Sequence, residues 1–208
     1  MIATEDEARA YCAGLTDEAG MARLEAFAAL VLEENQRQNL IAKATEPHIW
    51  QRHIADSAQL VENVSRETLG PNAQGPWLDL GSGPGFPGLV IAALNPNMPV
   101  VLVESRARRV EFLEAAIAAL DLRKCRVECQ RLERVAPFPV RAISARAFAP
   151  LAKLLTLSAP FSTRQTAYVL PKGRSAAQEL ETLKPSSRAM FHVKHSLTDP
   201  DAGIIVKV

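Results

Sequence analysis

The densest concentration of chemistry-bearing residue types is Asp79-Leu80-Gly81-Ser82-Gly83-Pro84-Gly85-Phe86-Pro87-Gly88. Glycines let a backbone adopt positive φ and approach a ligand closely. Gly83-x-Gly85-x-x-Gly88 matches the spacing of a dinucleotide-binding turn. Two features argue against a pyrophosphate there. Pro84 and Pro87 remove backbone N–H groups from the segment that would cradle phosphates. Asp79, just before the glycines, repels an anion but pairs readily with a cation or an amino group. S-adenosylmethionine has no phosphate and carries a sulfonium and an α-ammonium, so a carboxylate with a glycine loop, Gly81 and Gly83 included, fits it better. Glu104 lies 21 residues beyond Gly83. An acid there can accept hydrogen bonds from ribose hydroxyls, a role common to nicotinamide and methionine cofactors. It also suits the first turn of a following helix.

Other candidates carry less. Tyr168-x-x-x-Lys172 has the spacing of a short-chain dehydrogenase pair, but Pro171 in an apolar, β-rich run opposes the helix that pair needs. Tyr168 is therefore read as strand and Lys172 as an independent loop cation. His53 and Asp56 fall three apart on one helix face and are expected to form a hydrogen-bonded pair that docks an N-terminal segment near the cofactor cleft. His192 and His195 point to opposite faces of a strand-like stretch and receive no role. Cys12, Cys125 and Cys129 are an odd set without zinc-type spacing, so no metal site is expected and the setting is a reduced cytoplasm. Cys125 and Cys129, at the ends of a strand, are expected to be buried thiols.

The elements that must position these groups change character along the chain. Residues 1–66 read as helical, with Leu24, Phe27, Ala28 and Val31 at helical spacing after a start at Thr16-Asp17-Glu18 and an end near Asn35. A second helix is expected over 46–64, with Pro47 in its first turn. Residues 70–76 are a proline- and glycine-rich linker. Beyond it, short, largely apolar runs (77–80, 100–103, 142–144, 167–170, 204–206) and a further short strand at 126–129 alternate with helical stretches (89–94, 108–120, 151–157, 176–183). That pattern indicates a mostly parallel sheet covered on both faces. The expected organisation is an N-terminal helical extension, 1–76, packed on a doubly wound α/β domain, 77–208.

The chain has 208 residues, 48% apolar and 23% charged, an ordinary globular balance. No apolar window is long enough for a membrane span, and the acidic N-terminus lacks the order of a signal peptide. The net charge of +1 conceals a division. Residues 1–76 contain six Lys/Arg against twelve Asp/Glu, and residues 77–208 contain 18 against eleven. One basic half points to a polyanionic partner, with chance segregation of surface charge as the plainer alternative. Its candidate phosphate contacts are Arg106, Arg108, Arg109, Arg123, Lys124, Arg126, Arg131 and Arg134.

Several segments together resemble one family. Asn39-Leu40-Ile41, Arg52-His53-Ile54-x-Asp56-Ser57, the double-proline glycine loop, Val103-Glu104-Ser105 with Arg109-x-x-Phe112-Leu113, Arg131-Leu132-Glu133, Ser144-Ala145-Arg146-Ala147-Phe148-Ala149 and Leu170-Pro171-Lys172-Gly173 occur in the order found in the RsmG (GidB) family. These are bacterial 16S ribosomal RNA methyltransferases that act on guanine N7. Ile41 replaces the usual threonine, Glu104 the common aspartate, and the lysine segment carries an extra proline. The resemblance implies a class I S-adenosylmethionine-dependent methyltransferase, Rossmann-like, with an N-terminal helical extension. It implies cofactor contacts at Gly81, Phe86, Leu132, Glu133 and Arg146, with Glu104 at the ribose and S-adenosylhomocysteine as product. Arg146 is expected to orient guanine and cofactor, and Lys172 with Arg174 to bind the RNA backbone. The implied partner is 16S rRNA or the small ribosomal subunit particle, met by a cytoplasmic monomer without membrane or metal. A small-molecule methyltransferase, a nicotinamide oxidoreductase and a noncatalytic RNA-binding module are the competing readings.

Overall fold

The strands after residue 76 pair into one seven-stranded sheet in the computed structural model, which describes residues 1–207. The strands are β1 Trp77–Leu80, β2 Val100–Glu104, β3 Cys125–Cys129, β4 Ala142–Ser144, β5 Ala167–Gly173, β6 His192–His195 and β7 Gly203–Lys207. Their order is β3-β2-β1-β4-β5-β7-β6. The first five are mutually parallel, β7 runs antiparallel to β5, and β6 antiparallel to β7. The order reverses between β1 and β4, and in open α/β sheets the crevice at such a reversal, at the carboxyl ends of the strands, is where ligands bind.

The helices are α1 Glu5–Ala13, α2 Glu18–Glu34, α3 Asp56–Ala58, α4 Arg66–Leu69, α5 Gly88–Leu94, α6 Ala107–Ala119, α7 Leu151–Ser158, α8 Ala176–Glu181 and α9 Pro185–Arg188. Local chemistry sets the first two. Thr4 and Glu7 form a reciprocal capping box on α1, and Asp17 caps α2 through Gly20 N–H. At the far end of α2 the Asn35 side chain accepts from Leu40 N–H at 2.7 Å and Ile41 N–H at 2.9 Å, which turns the chain back. The helix expected over 46–64 is instead a relay of tighter and wider turns. A 3-10 turn over Lys43–His48 holds Pro47, a π-helical turn spans Trp50–Ala55, α3 follows, and a second 3-10 turn covers Gln59–Asn63. Such mixed winding lets successive side chains face different neighbours, a recurrent device at functional sites.

Two apolar layers sandwich the sheet. Leu24, Phe27, Ile54 and Leu60 from the N-terminal helices pack with Trp77, Leu89, Leu102 and Val169 on one face. Leu78, Leu80, Val101, Ile143 and Leu170 face the opposite side, against Leu132, Leu151, Leu154 and Phe161. Leu24, Phe27, Ile54 and Leu60 are all fully buried, and each such side chain contributes about 1.5–3 kcal/mol. The linker is strapped down by Arg141 at the start of β4. Its guanidinium donates to the carbonyls of Gly75 at 2.6 Å, Ala73 at 2.7 Å, Gly70 at 3.2 Å and Thr68 at 3.3 Å.

One strand expectation needs correction, and another holds. Cys125 is buried, and burial pushes its thiol up to about 12, but Cys129 is exposed. β3 is an edge strand, paired on one side only. His192 and His195 lie on β6, the opposite edge, where all four residues are exposed.

Candidate active site at the carboxyl ends of the central strands

The chain leaves β1 through a turn that only glycine accommodates easily, with φ of +67° at Gly81, +56° at Gly83 and +98° at Gly85. A Cβ on Gly81 would stand 2.8 Å from the Phe148 ring, so that ring lies against the turn. Above Gly83 the space is open, the nearest atom being the Gly81 carbonyl oxygen at 3.8 Å. The turn is held from below by two acids. Asp79 is completely buried; its Oδ2 accepts from Gly88 N–H at 3.2 Å and its Oδ1 from the Ser144 hydroxyl at 2.7 Å. Trp77 Nε1–H donates in turn to Ser144 Oγ at 2.9 Å. Glu104 accepts from Gly83 N–H at 3.1 Å and, with its other oxygen, from Ser105 and Arg106 N–H. Loop and second-strand acid, 21 residues apart, are thus brought together.

The geometry revises what these residues do. Asp79 is sealed beneath the loop, and its oxygens already accept from the chain's own donors. It fixes β1, β4 and α5 rather than presenting a free carboxylate to an ammonium. Phe86 points inward at 2% exposure, with its ring against those of Phe27 and His53. Leu132 is buried on a 3-10 turn after β3, with Glu133 exposed beside it. The donor set suits a cationic, phosphate-free nucleoside: open space over Gly83, a carboxylate at the second strand, and two prolines where phosphate-binding amides would be.

Arg146 stands just past β4, beside Ala147, whose φ of +53° is a strained conformation for a residue with a Cβ. Three groups surround its guanidinium. Nη2 donates to His53 Nδ1 at 3.2 Å, Nη1 lies 3.9 Å from Asp56 Oδ2, and the head sits 5.3 Å from the Phe86 ring centroid. His53 stacks on the same ring at 5.1 Å. Its Nε2 is 2.8 Å from Thr45 Oγ1. Burial, reinforced by the charges of Arg146 and Arg52, pushes the His53 pKa down to about 3. Among the described residues His53 and Asp56 do not bond to each other as their spacing suggests: His53 is engaged by Thr45 and Arg146, Asp56 accepts from Gln59 and Thr198, and both meet the core at Arg146, 93 residues beyond His53. A cleft of about 720 Å³ opens beside this group, lined by Thr45, Arg52, Asp56, Phe148, Pro171 and Thr198 among others.

Lys172 is not a loop cation. It lies at the end of β5 with its side chain only 6% exposed. Its ammonium donates to Ala149 O at 2.6 Å and pairs with Glu179 at 2.9 Å, which leaves little of it for RNA. Arg174 is exposed and pairs with Asp201. The basic candidates also divide. Arg106, Arg108, Arg131 and Arg134 follow the carboxyl ends of β2 and β3 and are exposed near the cleft side. Arg123, Lys124 and Arg126 sit at the amino end of β3, across the sheet from it. Arg109 turns inward to the carbonyls of Asn39 and Leu40. Sequence alone does not point to Thr45, Arg52 or Phe148 as site residues: Arg52 and Phe148 lie within the family-like motifs, but nothing about Thr45 marks it.

Comparison with known proteins adds a family. The model described as rRNA small subunit methyltransferase G (GidB) matches residues 20–199. A ribosomal RNA small subunit methyltransferase G of Erythrobacter litoralis is 56% identical, over 99% of this chain and 97% of its own. That of Novosphingobium aromaticivorans is 54% identical, over 99% and 88%. Among solved structures, Aeropyrum pernix fibrillarin bound to S-adenosyl-L-methionine superposes with a TM-score of 0.54 at 16% identity, covering 73% of each chain, a likeness of fold.

Proposed function

The chain belongs to the rRNA small subunit methyltransferase G (GidB) family, and from that membership we propose that it transfers a methyl group from S-adenosylmethionine to N7 of a guanine in 16S ribosomal RNA. The observation that carries this reading is Arg146, held between the glycine turn and an open cleft by His53, Asp56 and Phe86.

The cofactor, when bound, supplies an electrophilic methyl on a sulfonium. Gly81 and Gly83 form its cradle and Glu104 stands at the ribose position. Guanine N7 carries a lone pair and no proton, so transfer needs positioning more than a base. Arg146 donates to guanine O6 and fixes the ring, leaving N7 free. The Asp56 carboxylate, in the same cleft, offsets the positive charge that methylation leaves on the base. Lys172 serves by holding Ala149 and Glu179, which shape the cleft wall. Exposed Arg52, Arg174, Arg106, Arg108, Arg131 and Arg134 contact phosphates, and the target base must be unstacked to enter.

In this reading residues 1–76 are an extension that completes the site on the 77–208 core, and the enzyme acts as a cytoplasmic monomer. Among the described residues no helix is long and apolar enough to cross a membrane. The test is methylation of small-subunit particles and of free 16S rRNA from a strain lacking the modification, with labelled cofactor and mapping of the product. A single N7-methylguanine in 16S rRNA supports the proposal. Label on small metabolites, or on another RNA atom, refutes it.

A further inference from the structure

Arg146 is the group nearest the proposed chemistry, and among the described residues it has one hydrogen bond, to His53 Nδ1 at 3.2 Å. Asp56 at 3.9 Å is too distant for another, and the Phe86 face is not directional. What orients the arginine is therefore one ring nitrogen, and the protons around that ring can be assigned by counting.

A guanidinium has donors only. Nδ1 must then be the acceptor, and the proton of a neutral imidazole sits on Nε2. Nε2 is 2.8 Å from Thr45 Oγ1. The Thr45 hydroxyl has a single proton, and it is directed at the Ala42 carbonyl, 2.8 Å away. Thr45 Oγ1 is thus left to accept from Nε2–H. The chain of donors runs from Arg146 through His53 and Thr45 and ends at a backbone carbonyl, which cannot reverse it. Moving the proton to Nδ1 would set N–H against N–H at Arg146. Rotating the ring is opposed by Phe86 on its face and by burial of all but 8% of the residue.

We propose that Thr45 and His53 are positioning residues for Arg146: Thr45 locks His53 as the Nε2–H tautomer, and the Nδ1 lone pair then sets the direction of the guanidinium. The same assignment removes His53 from any role as a general base, because its lone pair is engaged. Both residues come from the helical segment before the sheet, so that segment supplies a working part of the site. The consequence for turnover rests on the methyltransferase reading; the tautomer does not.

The experiment therefore has two arms. Nitrogen-15 NMR of the full chain with labelled histidine reads which ring nitrogen is protonated, and the other three histidines, His48, His192 and His195, are exposed. The signal is assigned by its loss in His53→Asn. A bare Nδ1 and protonated Nε2 are expected; a proton on Nδ1 overturns the proposal. The second arm compares conservative variants in the methylation assay. Asparagine places an amide oxygen near the Nδ1 position and should retain most of the turnover. Glutamine reaches toward Thr45 but offers Arg146 no acceptor there, and kcat should fall about 10- to 100-fold with KM for the particle little changed. Thr45→Ser should behave like the native enzyme and Thr45→Val should fall between. Equal loss in Asn and Gln variants that melt at the native temperature overturns the positioning role. If the native protein methylates nothing while the tautomer is as stated, the functional reading fails and the lock stands.

Discussion

Replacing Asp79 by asparagine isolates the energetic cost of sealing a carboxylate under the glycine loop. Burial pushes this carboxyl up from 3.8 to about 6, against the opposing pull of Ser144, Ser82, the Gly88 amide and the Arg146 charge. The unfolded chain releases the proton near pH 4 and the folded chain near pH 6. Between those values the native state holds one proton more than the unfolded state, so native stability falls as pH rises. The slope is about 1.4 kcal/mol per pH unit, or about 3 kcal/mol across the window. Asparagine does not titrate and suffers none of that loss. In acid the variant should be the less stable by about 1–2 kcal/mol, because one amide N–H faces the donors at Ser144 or Gly88. By neutral pH the difference should have moved about 3 kcal/mol in the variant's favour. Urea unfolding of both proteins, followed by tryptophan fluorescence from about pH 4 to pH 7.5, measures this directly. Two stability curves that run parallel through the window would refute the reasoning.

His53 predicts the opposite slope: with its pKa pushed down to about 3 and facing Arg146, Arg52 and Asp56, it refuses a proton that the unfolded chain takes up below about pH 6.5. Native stability is then lost as pH falls, by about 1.4 kcal/mol per unit, and His53→Asn should flatten that limb in the same unfolding series. Arg146→Met should lower methyl transfer by about 100- to 1000-fold while the thermal midpoint stays put; near-normal turnover would remove Arg146 from the mechanism. Gly81→Ala meets a φ of +67° and the Phe148 ring 2.8 Å away, and should cost about 1–2 kcal/mol of stability with weaker calorimetric binding of S-adenosylhomocysteine. Lys172→Met should destabilise by about 1–3 kcal/mol without altering the salt dependence of RNA binding, whereas Arg174→Ala should reduce that slope by about one; the reverse pattern would restore Lys172 as an RNA contact.

The strand–glycine–helix unit is readable from the chain because its signals are local: Trp77 to Leu80 is apolar but for Asp79, and the glycines follow at once. The same holds for the parallel centre of the sheet, whose strands are buried on both faces and show continuous apolar runs. What sequence leaves out depends on contacts at a distance. Lys172 looks like a loop cation until Glu179, on another element, is found beside it. Asp79 looks available to a ligand until Ser144 and Gly88 are seen to occupy its oxygens. Residues 43–63 pass through 3-10, π-helical and α turns, whereas their apolar spacing alone predicts one even helix. The His53–Arg146 contact joins the two charge-segregated halves, and no spacing rule connects positions 93 apart.

Arg141 gives the linker a meaning for anyone wishing to divide this protein. By composition, residues 70–76 are the obvious place to cut, insert a tag or permute the chain. Yet their carbonyls, with that of Thr68, are the acceptors of a buried guanidinium that has neutral partners in place of an acid. Such a clasp has no paired charge for salt to screen and no carboxylate for acid to neutralise. A fragment starting at Trp77 would keep the cation and lose every acceptor that satisfies it. The sensible places for engineered boundaries are therefore exposed turns on the sheet's outer edges, and the seam that looks loosest on paper is one to leave whole.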